Sequence, residues 1–168
     1  TEMGAMCEEV IALTAAALRG EDPRSLQRVA EVGPEIDHAE RAIEALCLKL
    51  LLRQQPVARD LRQISAALNM ITDMERIGDQ AEDISEIIPF LKGRTGEECR
   101  TINAMAEVAM KMVTESIDAY VLRDSDLALA TIDRDDVVDA FFASIKSSLI
   151  ETSGCNSVNS RQLTYRTL

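Results

Sequence analysis

Met70-Ile71-Thr72-Asp73-Met74-Glu75-Arg76-Ile77-Gly78-Asp79 is the stretch on which the fold turns. Its apolar side chains Ile71, Met74 and Ile77 recur every three residues. The rhythm continues upstream through Leu61, Ile64 and Leu68, and downstream through Ala81, Ile84, Ile88 and Leu91. Steps of three and four residues line one face of an α-helix. A helix is therefore predicted over residues 57–91, with Pro89 disturbing its last turn because it lacks an N–H to donate.

The flanking sequence has the same character. Met3, Met6, Val10, Leu13 and Ala17 predict a first helix over 3–19, ended by Gly20. Asp22-Pro23 then supplies an N-cap residue followed by proline at the first helical position. The second helix is predicted over about 23–53, with Leu26, Val29, Ile36, Ile43 and Leu50 as its apolar positions. Pro34, after Gly33, should kink or split it. Lys92-Gly93-Arg94-Thr95-Gly96 reads as a linker. A fourth helix follows over 97–122 and a fifth over 125–150. Residues 151–160 are polar and loop-like, or the edge of a disordered stretch, and 162–168 start a sixth helix that is cut short.

Composition agrees with an all-α chain. Of 168 residues 46% are hydrophobic but only 3% are aromatic, which suits an aliphatic helical bundle better than a sheet. The net charge of −11 opposes nucleic-acid binding, which needs a basic surface. It suits cations or basic partners, and equally a merely solvated acidic surface. The four cysteines show no C-x-x-C spacing, so neither a zinc ribbon nor a thioredoxin-type site is indicated. Cys7 and Cys47 read as small core residues in a reducing compartment. The longest apolar run, Leu48–Leu52, is broken by Lys49 and far too short to span a membrane. No signal-peptide pattern is visible. Helical periodicity begins at once after Thr1, and both ends are read as open.

A shift of 102 residues superimposes the chain on itself. It pairs Val10 with Met112, Ile11 with Val113, Asp22 with Asp124, Ile36 with Val138, Asp37 with Asp139 and Ile43 with Ile145. Two tandem three-helix units are expected, one over 1–92 and one over 97–168. At this shift the counterpart of Glu75 falls past Leu168, so the second unit is expected to be incomplete in this chain.

The third helix carries the candidate chemistry. At about 100° per residue, Glu75, Asp79, Glu82 and Glu86 fall within an arc of roughly 60°. Upstream, Leu61, Ile64 and Leu68 occupy that same arc. Between Glu75 and Pro89 the only basic residue is Arg76. Carboxylates stacked on successive turns repel one another, which is uncommon without a compensating charge. Such a stripe, continuing an apolar face, suits a hard divalent or trivalent cation. A solvated face with ordinary repulsion is the competing reading. Gly78 in mid-helix costs roughly 1 kcal/mol against alanine. It marks either a close approach of another helix or ligand, or a neutral position.

Asp133, Asp135, Asp136 and Asp139 form a second acidic group. Asp135 and Asp139, one turn apart, could chelate, or the group could simply favour the helix start. In the first unit Gly33 stands opposite Asp135, leaving Asp37 alone. His38 is the only histidine and reads as structural. No Gly-x-Ser-x-Gly, P-loop or Cys–His arrangement is present.

Arg53-Gln54-Gln55-Pro56-Val57-Ala58-Arg59-Asp60-Leu61-Arg62, then Ala66 through Ala81, closely resembles the PhoU family, whose acid-x-x-x-Asp signature is matched by Glu75-Arg76-Ile77-Gly78-Asp79. The resemblance implies two tandem three-helix bundles and a cytoplasmic, homodimeric, non-enzymatic regulator of phosphate uptake. Such a protein acts between the ATPase subunit of a phosphate ABC transporter and a sensor histidine kinase, without entering the membrane or binding nucleic acid. It also implies iron, manganese, magnesium or zinc at Glu75 and Asp79, and at Asp135 and Asp139, with Asp73, Glu82 and Glu86 as weaker ligands. Gly33 departs from the family pattern. The second Glu-Arg-Ile-Gly-Asp is not in this sequence. Two rivals are a carboxylate-bridged metalloenzyme and a metal-free structural bundle. The first needs several Glu-x-x-His pairs, and Glu35-x-x-His38 is alone.

Overall fold

The computed structural model describes residues 2–20, 24–54, 57–91 and 97–164, with side-chain surroundings described for these except 54, 97–98 and 152–164. All of the regular structure among them is helical. The helices are α1 (Glu2–Arg19), α2 (Ser25–Gln54), α3 (Ala58–Ile87), α4 (Glu97–Leu122), α5 (Ser125–Asp133) and α6 (Asp135–Thr164). The fold is an all-α bundle, as the periodicity predicts.

α1, α2 and α3 pack against one another, and α2 against α3 is the most extensive pair. Their shared core holds Met3, Cys7 and Val10 of α1, Val29, Val32 and Ile36 of α2, and Ile71, Met74 and Ala81 of α3. Fully burying one such aliphatic side chain contributes about 1.5–3 kcal/mol. The Cys7 thiol also donates to the Met74 carbonyl oxygen at 3.5 Å, tying α1 to α3. Cys7 and Cys47 are both buried, as expected of small core residues.

α4 lies along α1 and carries α5 and α6. Thr114 donates to Glu8 at 2.6 Å, and Arg19 donates to Asn103 at 3.0 Å. At the other end of α4, Tyr120 donates its hydroxyl proton to the Gln63 carbonyl oxygen at 3.0 Å, fastening α4 to the start of α3.

Four local expectations meet a different outcome or a sharper one. α2 is not split at Pro34, which sits exposed inside one continuous helix. A proline in a helix interior costs about 3 kcal/mol. Val29, Val32 and Ile36 around it are each 0% exposed, and their burial offsets that cost. Pro89 does end α3, whose last residues tighten into a single 3-10 turn over Ile88–Leu91.

The predicted fifth helix is two helices. Asp124 caps α5 by accepting from the Asp126 and Leu127 amides, both at 3.0 Å. The break falls at Arg134, whose Nη2 donates to Glu115 Oε1 at 3.0 Å while its Nε lies 2.9 Å from Glu115 Oε2. One hydrogen bond and a close ion pair thus link α4 to the turn between α5 and α6, and the second contact is not aligned as a hydrogen bond. α6 then continues to Thr164 through the stretch expected to be a loop, because no proline interrupts it. The expected linker at 92–96 and the last four residues lie outside the described ones.

Candidate metal centre

α3 enters the site as an ordinary amphipathic helix with one irregular position. Gly78 is buried, and a Cβ on it would stand 3.2 Å from Ile36 Cδ1. Of the two readings of that glycine, the close approach of another helix is the one observed, and the helix is α2. This contact sets how near the acidic stripe of α3 comes to α2.

At that distance Asp37, one residue after Ile36, joins the stripe. One carboxylate oxygen each from Asp37, Glu75 and Asp79 lies within 4.8 Å of the other two. Glu75 and Asp37 are half-buried and Asp79 is exposed. Three negative charges at this spacing repel by about 1–3 kcal/mol per pair, between the limits for bulk water and for a protein surface. Arg41, itself exposed, lies 3.3 Å from Asp37. Arg76 does not enter the group. It lies 3.5 Å from Asp73 in an exposed pair.

The electrostatic consequence falls on Glu75 and Glu82. Burial, followed by the charges of Asp79, Glu40 and Asp37, raises the Glu75 carboxyl above its ordinary range, and Arg76 lowers it only in part. Burial also raises Glu82, reinforced by Asp79, Asp37, Glu86 and Asp83. Chemically, the site offers oxygen ligands only, with a surplus of negative charge. It matches hard cations and not thiophilic ones.

Glu82 is placed by a second glycine. A Cβ on Gly33 would overlap the Glu82 carboxylate, so the bare backbone there admits the Glu82 side chain onto α2. Position 33 corresponds to Asp135 in the internal repeat.

The remaining sequence candidates are dispersed. Glu86 is exposed one turn beyond Glu82, and Asp73 faces away, toward α1 and α4. Asp135 and Asp139 are exposed at the start of α6, and no third carboxylate joins them among the described residues. His38 is exposed and outside the group. Asp37 is the residue on which sequence reasoning placed too little weight. Its repeat partner Asp139 was a signal, but the pairing of α2 with α3 is a tertiary fact.

A family profile described as the PhoU domain matches residues 1–88 and again residues 102–167. The chain belongs to the PhoU family. It is 34% identical over 164 residues to a protein of Clostridium acetobutylicum named phosphate-specific transport system accessory protein PhoU homolog. That match takes in 96% of the chain and 75% of the relative. It is 30% identical to the Aquifex aeolicus protein of the same name, over 89% of the chain and 68% of the relative. The crystal structure of PhoU from Pseudomonas aeruginosa superimposes with a TM-score of 0.84 at 31% identity. That superposition covers 90% of this chain and 73% of that one. Against the curated Pseudomonas aeruginosa relative, this PhoU-family chain spans 62% of the length. These relatives are named as transport accessory proteins and not as enzymes.

Proposed function

We propose that this chain is a negative regulator of phosphate uptake and phosphate-starvation signalling whose activity depends on a hard cation held between α2 and α3. It works in the cytoplasm as a homodimeric adaptor between the ATPase subunit of a phosphate ABC transporter and a sensor histidine kinase. Family membership supports the regulatory part of this reading. The observation that carries the metal part is the convergence of Asp37, Glu75 and Asp79 from two helices on the segment bearing the family signature.

In this reading Glu75 and Asp79 bind from one helix turn and Asp37 closes the site from α2. Glu82 sits alongside as a further carboxylate, and Asp135 and Asp139 offer a weaker two-carboxylate pair on α6. Manganese, iron, magnesium and zinc are the candidate ions. The oxygen-only ligand set favours the first three.

Isothermal titration of the metal-stripped chain with manganese and with iron(II) tests the metal part. Saturable binding is expected, weakened at least tenfold in Asp37→Asn and in the double variant Glu75→Gln, Asp79→Asn. Equal affinity in all three proteins refutes the assignment. Co-purification with the transporter ATPase and the kinase, with and without phosphate, tests the adaptor part separately.

A further inference from the structure

The two units of the internal repeat differ at one register position. α2 runs unbroken through Val32-Gly33-Pro34, where glycine and proline both oppose a helix. The corresponding stretch of the second unit is Arg134-Asp135-Asp136, and there the helix breaks into α5 and α6. No glycine or proline stands between Ser125 and Glu151 to cause the break. Thr131 bonds its hydroxyl back to the Leu127 carbonyl, but Thr14, Thr72 and Thr114 do the same inside helices that stay unbroken. The backbone at the break remains near helical, with φ −74° and ψ −18° at Arg134. The Arg134 and Val137 amides donate to carbonyls three residues back, Thr131 and Arg134, both at 3.1 Å. A tightened turn of this kind within a helix often marks a hinge.

The units also differ in what faces this position. Glu115 and Arg134 stand at the counterparts of Leu13 and Val32, which belong to the apolar core of the first unit. An apolar contact region in one unit is therefore an ion pair in the other. Glu115 Oε2 and Arg134 Nε are buried and 2.9 Å apart, yet not aligned as a hydrogen bond. Replacing a sheltered, incompletely satisfied pair by apolar residues is often neutral or stabilising. The pair is thus better suited to specifying an arrangement than to adding stability.

We propose that the joint at Arg134 is a conformational switch latched by Glu115. With the pair made, α5 and α6 are separate helices. With the pair released, residues 125–150 run as one helix, as α2 does in the first unit. The two forms differ by a backbone adjustment around a single residue, and straightening re-aims α6, which carries Asp135 and Asp139 in its first turns, relative to α5. The switch is independent of metal binding.

Backbone NMR of the whole chain tests it. Residual dipolar couplings give the helix directions, and in the parent α5 and α6 should fit two axes. Glu115→Leu combined with Arg134→Val, which installs the side chains of the first unit, should bring residues 125–150 onto one axis. It should also slow exchange of the Asp136 and Val137 amides at least tenfold. Glu115→Gln, which removes the charge and leaves Arg134 in place, should show relaxation dispersion confined to residues 131–137, with a minor state whose carbon shifts are those of uninterrupted helix. Circular dichroism checks that each variant folds. A double variant that keeps two axes and the parent's exchange rates overturns the proposal, as does a parent that fits one axis. Should the double variant not fold, Glu115→Gln decides alone: no dispersion, or a minor state with random-coil shifts, overturns the switch, because the turn then either stays fixed or frays.

Discussion

Gly78 of α3 faces Ile36 of α2 so closely that a Cβ would stand 3.2 Å from the Ile36 Cδ1 methyl. Ile36 is fully buried, so it has little room to move. In Gly78→Ala the gain in helix propensity, about 1 kcal/mol, is opposed by this crowding, and the net change should stay within about 1 kcal/mol. Gly78→Leu has no such compensation and should destabilise by about 2–4 kcal/mol while separating Asp37 from Glu75. Urea denaturation measures both. A Leu variant as stable as the parent contradicts the packing described.

Gly33 predicts the opposite sign. The atoms that a new Cβ would meet belong to the end of the flexible Glu82 side chain, which can swing outward. Gly33→Ala should therefore stabilise the chain by about 0.5–1 kcal/mol through helix propensity. The check is the urea midpoint compared with that of Gly78→Ala. A loss of stability at position 33 means that Glu82 is held there more firmly than its packing implies.

Stability should also depend on pH through the acidic stripe. Glu75 and Glu82 titrate higher in the folded chain than in the unfolded one, chiefly because of burial. Between the unfolded and folded values the native state binds more protons. Their contribution to stability therefore falls as pH rises through that window. In chelator-treated protein, the double variant Glu75→Gln, Glu82→Gln should show a flatter fall of the urea midpoint as pH rises above the ordinary carboxylate range. Identical slopes in parent and variant would remove these two groups as the cause.

The grip of Glu115 on Arg134 spans α4 and the α5–α6 turn. Both side chains are largely sheltered, at 17% and 31% exposure, so solvent screens the pair only in part. Glu115→Gln should cost about 1–2 kcal/mol, less than a fully buried pair and more than a surface one. Thermal unfolding should show the loss, and amide exchange should quicken around residues 131–137. Unchanged exchange there would mean that the turn is held by its backbone alone.

The helical class, the helix edges at residues 19, 97 and 122, and the distortion at Pro89 were legible from the sequence. Each depends on local periodicity or on a residue with a special backbone. So were Glu75 and Asp79, because a one-turn spacing on a single helix is fixed by helix geometry. The unbroken α2 at Pro34 was not legible. A local penalty there is outweighed by the burial of Val29, Val32 and Ile36 against other helices. The break at Arg134 coincides with its contact to Glu115, nineteen residues away on another helix. Asp37 completes the acidic group only because Gly78 lets α2 approach α3. Glu82 reaches α2 only because Gly33 has no side chain. The sequence by itself determined which face of α3 is acidic, since that follows from the helical repeat. Only the tertiary structure decided which carboxylate from a second helix meets it, because interhelical register is set by the packing of side chains far apart in the chain.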